Sequence, residues 1–122
     1  MREIKFRAWH EYGNTDTTPM SPGMIYDDKP GDCLTWKNQG QKIVAIMQYT
    51  GLKDRHDKAI YEGDILIFKE GGYTEQCFVV YADALFWNRY KNRVCELYLE
   101  HEDCEIIGNI YDNPELAPKE AV

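Results

Sequence analysis

The sequence predicts a mostly β protein with little helix, in which short antiparallel N-terminal strands pack on a small C-terminal β-barrel. Apolar side chains recur at every second position in most segments, which is the spacing of a half-buried strand. Turn-forming residues separate these segments, and no stretch of about twelve residues keeps a helical period. We assign residues 1–60 to an N-terminal β subdomain, 61–116 to a barrel subdomain and 117–122 to a tail, all in one compact unit.

The N-terminal half is a series of strands and turns. Residues 3–9 alternate polar and apolar side chains and predict the first strand. Residues 10–22 are polar and rich in turn formers, so we expect an exposed loop. Short strands are predicted at residues 24–26 and 33–36, on the two sides of a Pro-Gly turn. Residues 42–50 hold the longest apolar run, which is rich in β-branched side chains and predicts a buried strand.

The C-terminal half alternates short strands with tight turns. We predict five strands, at residues 65–68, 77–81, 84–87, 94–99 and 104–107. Five short antiparallel strands are typical of a small barrel, because free edges invite aggregation. The acid-rich residues 100–105 are interpreted as a solvated hairpin tip, and residues 112–116 as one helical turn.

Charge is unevenly distributed along the chain. Residues 1–60 hold nine basic and eight acidic side chains, whereas residues 61–122 hold five and thirteen, which gives a net charge of −7. The acidic second half disfavours contact with phosphate backbones. No apolar run approaches the roughly 18–20 residues needed to span a bilayer, and the charged N-terminus is unlike a signal peptide. We therefore expect a cytoplasmic protein with no membrane partner.

The four cysteines predict neither disulfides nor a metal site. Cys33, Cys77, Cys95 and Cys104 contain no C-x-x-C pair, and with no secretory signal we expect four reduced thiols. A zinc site needs close-set ligand pairs, and His101 with Cys104 has no matching second pair. We expect no metal and no cofactor.

No catalytic set is recognisable. The single serine, Ser21, is flanked by proline, and the three histidines lie in polar contexts. Pairs of carboxylates arise readily in a chain with 21 acids, and Gly71-Gly72 lacks the Lys-Ser/Thr of a phosphate-binding loop. The sequence therefore favours a non-enzymatic protein, with a metal-dependent enzyme as the last alternative.

One stretch suits binding. Residues 86–93 interleave aromatic side chains with three cations, a mixture that anchors protein interfaces or stacks on single-stranded bases. The candidate partner-binding residues are Trp87, Arg89, Tyr90, Lys91 and Arg93. The alternative is that the aromatic rings belong partly to the core and the cations decorate a hairpin.

Three stretches spread over nearly the whole chain share motifs with one protein family. Residues 2–9 are REIKFRAW, residues 47–54 and 60–65 are MQYTGLKD and IYEGDI, and residues 106–116 are IIGNIYDNPEL. In this order and spacing they resemble the YopX family. The resemblance implies a phage or prophage origin and an SH3-like C-terminal barrel, and it supplies no catalytic residues. His56 and residues 17–23 depart from the family pattern, which bears on loop shape.

The family motifs favour structural roles. Glycines at turns adopt positive φ, short polar side chains bond to nearby backbone, and buried tyrosines keep a partner for the hydroxyl. The residues expected to have structural roles are Tyr49, Gly51, Tyr61, Gly63, Asp64 and Asn109. The functional alternative is a groove lined by Tyr49, Lys53, Asp54, Tyr61 and Asp64.

From these observations we expect a phage or prophage accessory protein that acts in the bacterial host by binding another protein. A nucleic-acid-binding module is the first alternative, and it would use residues 86–93. An acidic decoy of a host nucleic-acid-binding protein is the second. Self-association is also open, because small β proteins with exposed edges often pair.

Overall fold

The computed structural model describes residues 3–14 and 21–118. Of the described residues, 54% are in strands and 16% in helices, so the predicted mostly β class is confirmed. It consists of two compact units, Met1–Tyr49 and Thr50–Val122, whereas the sequence predicted a division at residue 60.

The first unit is built on a long central strand. Strand β1 (Phe6–Asn14) pairs antiparallel with β2 (Ser21–Tyr26) on one side and with β3 (Ile43–Lys53) on the other. Helix α1 (Asp32–Asn38) lies between β2 and β3 in the chain and contacts β1 and β2. Strand β3 continues past Tyr49 into the second unit.

Two predictions in the first unit are wrong. The strand predicted at residues 33–36 is helix α1, and residues 10–14 of the predicted loop extend β1. The helix depends on Asp27, whose carboxylate accepts hydrogen bonds from the N–H groups of Gly31 and Cys33 at 2.9 and 2.8 Å. The spacing of apolar residues within a four-residue segment gives no information about those contacts. Residues 15–20 of the predicted loop lie outside the described residues.

Asp27 also ties the helix to the sheet. Its Oδ2 accepts a hydrogen bond from the Phe6 N–H at 2.9 Å, and the fully buried Cys33 Sγ lies 3.7 Å from the Phe6 carbonyl oxygen. Burial alone would raise the pKa of Asp27, but the hydrogen bonds from Cys33, Gly31 and Phe6 outweigh it and hold that pKa below its usual value. Burial, together with the Asp27 carboxylate, raises the pKa of Cys33 to about 12, so Cys33 stays a thiol.

The second unit is dominated by a five-stranded antiparallel sheet in the order β8-β7-β6-β5-β9. The five predicted strands are thus present, together with a short strand β4 that pairs with the end of β3. Their bounds are β4 Ala59–Tyr61, β5 Asp64–Glu70, β6 Tyr73–Ala82, β7 Leu85–Arg89, β8 Val94–Glu96 and β9 Cys104–Asn109. Gly71 and Gly72, with φ of 56° and 85°, form the predicted hairpin between β5 and β6.

A helical segment separates β8 from β9. The strand predicted at residues 94–99 ends at Glu96, where α2 (Leu97–Glu100) begins, followed by a 3-10 turn at His101–Asp103. Leu97 and Glu100 are both buried, and their spacing places them on one side of a helical turn. The predicted single turn near the C-terminus is confirmed as a 3-10 helix at Pro114–Leu116.

The core of the second unit lies on one face of this sheet. Alternate residues of each strand point into it, since side chains of a strand alternate between the two faces. The cluster contains Ile60, Leu66, Phe68, Cys77, Val79, Phe86, Tyr90, Leu97 and Cys104. Burying each large aliphatic or aromatic side chain contributes about 1.5–3 kcal/mol. The residues between them in β6 and β7 point to the opposite face, which we call the outer face.

Candidate functional site

A depression of about 300 Å³ opens on the outer face of the five-stranded sheet. Its lining comes from β6, β7 and β8 and from the turn that joins β6 to β7. The lining residues are Val80, Ala82, Asp83, Trp87, Arg89 and Val94. Strand pairing explains the grouping, because Val80 lies opposite Trp87, and Val94 lies opposite Arg89.

Trp87 is held in one orientation within the depression. Its indole N–H donates a hydrogen bond to the Ala82 carbonyl oxygen at 3.0 Å. The ring is half-buried, and Val80 is its cross-strand neighbour. A large apolar ring that is already oriented loses little conformational entropy when a partner covers it.

The depression has charged groups at both ends of β7. Asp83 lies in the two-residue turn before β7, where Asp83 and Ala84 have φ of 50° and 65°. Positive φ at both central residues is the geometry of a tight hairpin turn, and Asp tolerates it better than most residues. Arg89 is the last residue of β7. An apolar centre with an acid at one end and a cation at the other can hold an amphipathic segment of chain.

The structure divides the five candidate binding residues between two faces and a loop. Trp87 and Arg89 line the depression, and Lys91 is exposed in the loop after β7. Tyr90 is only 2% exposed, because it continues the inward-facing series of Phe86 and Asn88. Its ring is therefore not available to a partner at this surface. Sequence period alone did not place Asp83 or Val94 in the site. Asp83 reaches it through the turn between β6 and β7, and Val94 reaches it through its pairing with Arg89.

Arg93 is engaged on the inner side of the sheet. Its guanidinium lies 3.7 Å from the centroid of the Tyr90 ring. It also forms ion pairs with Glu75 at 3.2 Å and with Glu100 at 3.4 Å. These contacts hold Arg93 against the second unit rather than toward the depression.

Glu100 is the centre of a buried polar cluster that the sequence did not reveal. The interpretation of residues 100–105 as a solvated hairpin tip is wrong at Glu100, which is 8% exposed. Its Oε1 accepts hydrogen bonds from the Tyr90 hydroxyl at 2.7 Å and from the Asn88 amide at 3.1 Å. Burial raises the pKa of Tyr90, and the bond to Glu100 adds to that shift, so the phenol stays protonated. The cluster locks α2 to β7.

Asp54, in the second family stretch, organises a loop. Its Oδ1 accepts hydrogen bonds from the N–H groups of His56 at 2.9 Å and Lys58 at 3.0 Å, and its Oδ2 accepts one from Ile106 at 3.0 Å. Asp54 is 5% exposed. A buried carboxylate that is surrounded by backbone donors fixes the chain and presents no free oxygen to a substrate.

The remaining family motifs also build turns. The Tyr61 N–H donates to the Asp64 carboxylate at 2.8 Å across a turn in which Gly63 has φ of 83°. Asn109 Oδ1 accepts hydrogen bonds from Tyr111 and Asp112 at 3.0 and 2.9 Å. Gly51 likewise has φ of 83°, so the positive φ expected at both glycines is present.

Tyr49 belongs to the first unit. It is 5% exposed, and the Lys5 ammonium lies 4.4 Å from the centroid of its ring. Lys53, from the alternative groove, is exposed and lies 3.8 Å from Asp57 in a surface ion pair. These contacts stabilise the local structure around each residue.

The four thiols are free, as predicted. Across residues 3–14 and 21–118, no three His, Cys, Asp or Glu side chains are placed to hold a metal ion. Over the same ranges, no helix has the length and apolar character to cross a membrane.

Fold and site together define a small, mostly β protein with a shallow depression on one sheet, lined in part by Trp87. The family model for the YopX protein matches residues 5–117, and the chain belongs to the YopX family. It is similar to a solved structure, protein EF1440 from Enterococcus faecalis, with 26% sequence identity and a TM-score of 0.58. That likeness covers 95% of this chain and 99% of the other. The comparison with curated proteins gave no match.

Proposed function

We propose that this YopX-family protein is a non-enzymatic accessory protein of a phage or prophage, and that it acts in the cytoplasm of the bacterial host by binding another protein. The observation that carries the proposal is the depression in which Trp87, held by its hydrogen bond to Ala82, lies beside Arg89. The proposal includes an SH3-like barrel formed by the five strands of the second unit. The number of these strands, their short length and their antiparallel pairing support it.

The composition of the depression supports a protein partner. Trp and Arg are enriched among the few residues that dominate binding energy at protein interfaces. Val80 and Val94 supply apolar walls around them, so a partner side chain would be removed from water on several sides. The shallow form and the polar ends suit a segment of chain better than a small metabolite, which usually occupies a deeper pocket.

A nucleic-acid ligand has weaker support. Arg93 is paired with Glu75 and Glu100, which removes one of the three cations that made residues 86–93 look basic. The second half of the chain carries thirteen acids against five basic residues, and this charge repels a phosphate backbone.

The test is capture of a partner by immobilised protein from a bacterial host lysate, with and without nuclease treatment. The variant Trp87→Ala/Arg89→Ala should lower capture of that partner at least about tenfold, because interface hot spots contribute 2 kcal/mol or more on truncation. The matched control is Tyr12→Ala/Lys37→Ala, which changes an exposed aromatic residue and an exposed cation of the first unit.

Thermal unfolding should show that both double variants remain folded. Equal capture by wild type and by Trp87→Ala/Arg89→Ala would contradict the proposal. Capture that disappears when nuclease is added would replace it with the nucleic-acid module.

A further inference from the structure

The two edge strands of the five-stranded sheet differ in how their outward backbone groups are satisfied. Along β9, the Cys104 carbonyl accepts a hydrogen bond from the Arg55 N–H at 2.8 Å. The Ile106 N–H donates to the Asp54 carboxylate at 3.0 Å. The loop that contains Asp54 therefore covers this edge, which is a common way to prevent a sheet from adding strands.

Strand β8 lies at the other edge, and no part of residues 3–14 and 21–118 covers it through backbone hydrogen bonds. The Tyr90 N–H donates to the Arg93 carbonyl at 2.8 Å, and Arg89 pairs with Val94 one step further along. Because hydrogen-bonded and non-hydrogen-bonded pairs alternate in an antiparallel ladder, Val94 and Glu96 point their N–H groups away from β7. Within the described part of the chain, neither N–H has a recorded hydrogen-bond partner.

The free edge and the depression meet at Val94. This residue lies on the edge strand, is 56% exposed and lines the depression with Trp87 and Arg89. Residues that lie opposite each other on paired strands project their side chains to the same face of a sheet. A segment hydrogen-bonded to Val94 would thus place its opposing side chain at the rim of the depression.

We propose that the partner contributes an extended peptide segment that adds to the sheet beside β8 and inserts an aliphatic or aromatic side chain into the depression. The inference rests on the proposed function and names the form of the partner. Backbone hydrogen bonds to Val94 and Glu96 give affinity, and the Trp87 depression selects the side chain. β8 is three residues long, so the pairing is short and depends on this anchor.

A second copy of the chain suits this edge less well. Each copy carries a net charge of −7, so two copies repel each other. A foreign segment of low charge has no such penalty. The experiment below separates the two occupants.

The probe is a displayed library of random linear peptides, selected against the immobilised full-length protein. We expect the enriched peptides to share alternating apolar positions with an aromatic or large aliphatic residue at one of them. Val94→Pro removes the outward N–H but leaves the ladder to β7 intact, since that N–H does not bond to β7. Val94→Pro should lower the affinity for the selected peptide at least about tenfold. The peptide loses one backbone hydrogen bond and can no longer approach the edge closely, and a change of this size is expected from that loss.

The matched control is Val94→Thr, which keeps the N–H and a β-branched side chain and should bind within about threefold of wild type. Hydrogen exchange gives a second readout that needs no variant. A bound peptide should protect the Val94 and Glu96 amides, whereas the Cys95 amide, which faces β7, should be protected with and without peptide.

Each contrary outcome is distinct. Enrichment of no peptide above the bare surface, or unchanged exchange at Val94 and Glu96 on binding, overturns strand addition. Binding that is lost in Trp87→Ala but kept in Val94→Pro also overturns it and leaves the proposed function standing. Self-association of wild type that Val94→Pro abolishes shows that a second copy occupies the edge, which overturns the inference as stated.

Discussion

At the scale of single residues, Asp54 shows how a buried carboxylate can fix a loop through backbone N–H groups. Its carboxylate accepts hydrogen bonds from the N–H groups of His56, Lys58 and Ile106. We expect Asp54→Ala to lower the free energy of unfolding by about 3 kcal/mol, since hydrogen bonds to a charged group contribute about 1.5–3 kcal/mol and the donors are left unsatisfied. Urea denaturation measures the change. Asp57→Asn, exposed in the same loop, should stay within about 0.5 kcal/mol of wild type.

The same carboxylate predicts a pH dependence. Burial acts to raise the pKa of Asp54, but the hydrogen bonds from Ile106, Lys58 and His56 are stronger in sum and lower it from its ordinary value of 3.8. A folded-state pKa below the unfolded one gives stability that is complete above the unfolded pKa and is lost as pH falls through the folded pKa. Wild type should therefore lose stability below about pH 4 more steeply than Asp54→Ala. Parallel pH profiles for the two proteins would contradict this account.

The sequence identified candidate binding residues but not the face on which each lies. Trp87 and Arg89, two of the five candidates, stand two positions apart in an alternating segment, and both line the depression. Tyr90 belongs to the opposite face by the same alternation, but the concentration of cations around it favoured a surface position. Glu100 could not be assigned from its acidic neighbours, because its burial depends on Tyr90 and Asn88, which are distant in the sequence.

At the scale of elements, strands were predictable and short helices were not. Period two is a property of each segment alone, so the five strands of the second unit were all identified, apart from the end of β8. Helices α1 and α2 are seven and four residues long, too short to repeat a helical period. Contacts from elsewhere stabilise them: α1 is fixed by Asp27, and α2 is fixed by Glu100.

The attachment of α2 to β7 gives an element-scale prediction. Glu100→Ala removes the acceptor for the Tyr90 hydroxyl and the Asn88 amide, both buried, and one partner of Arg93. Truncating one side of a buried charged network typically costs about 3–5 kcal/mol. We expect Glu100→Ala to lower the free energy of unfolding by this amount. In this variant, amide exchange should be faster in α2 than in β3.

Glu102→Ala is the control for that experiment, because Glu102 lies in the same acid-rich run and its side chain is 87% exposed. Its effect should remain within about 0.5 kcal/mol. A similar loss of stability in the two variants would show that the run acts through its total charge and not through the buried cluster.

At the scale of the whole molecule, charge and edge geometry favour different states of association. A free strand edge at β8 promotes pairing between identical chains, while a net charge of −7 opposes it. The pairing at β8 involves three residues, and so short a ladder offers few hydrogen bonds against the repulsion of two acidic chains. The balance therefore favours a single chain.

We expect the protein to sediment as a monomer at neutral pH and low ionic strength, where repulsion between acidic chains is least screened. Added salt shortens the range of that repulsion to about 8 Å near physiological ionic strength, so any weak dimer should appear there first. Sedimentation velocity at several salt concentrations measures both states, with Val94→Pro as the comparison for edge pairing. A stable dimer at low salt that Val94→Pro leaves unchanged would show that another surface joins the chains, and would require that surface to overcome the charge of both.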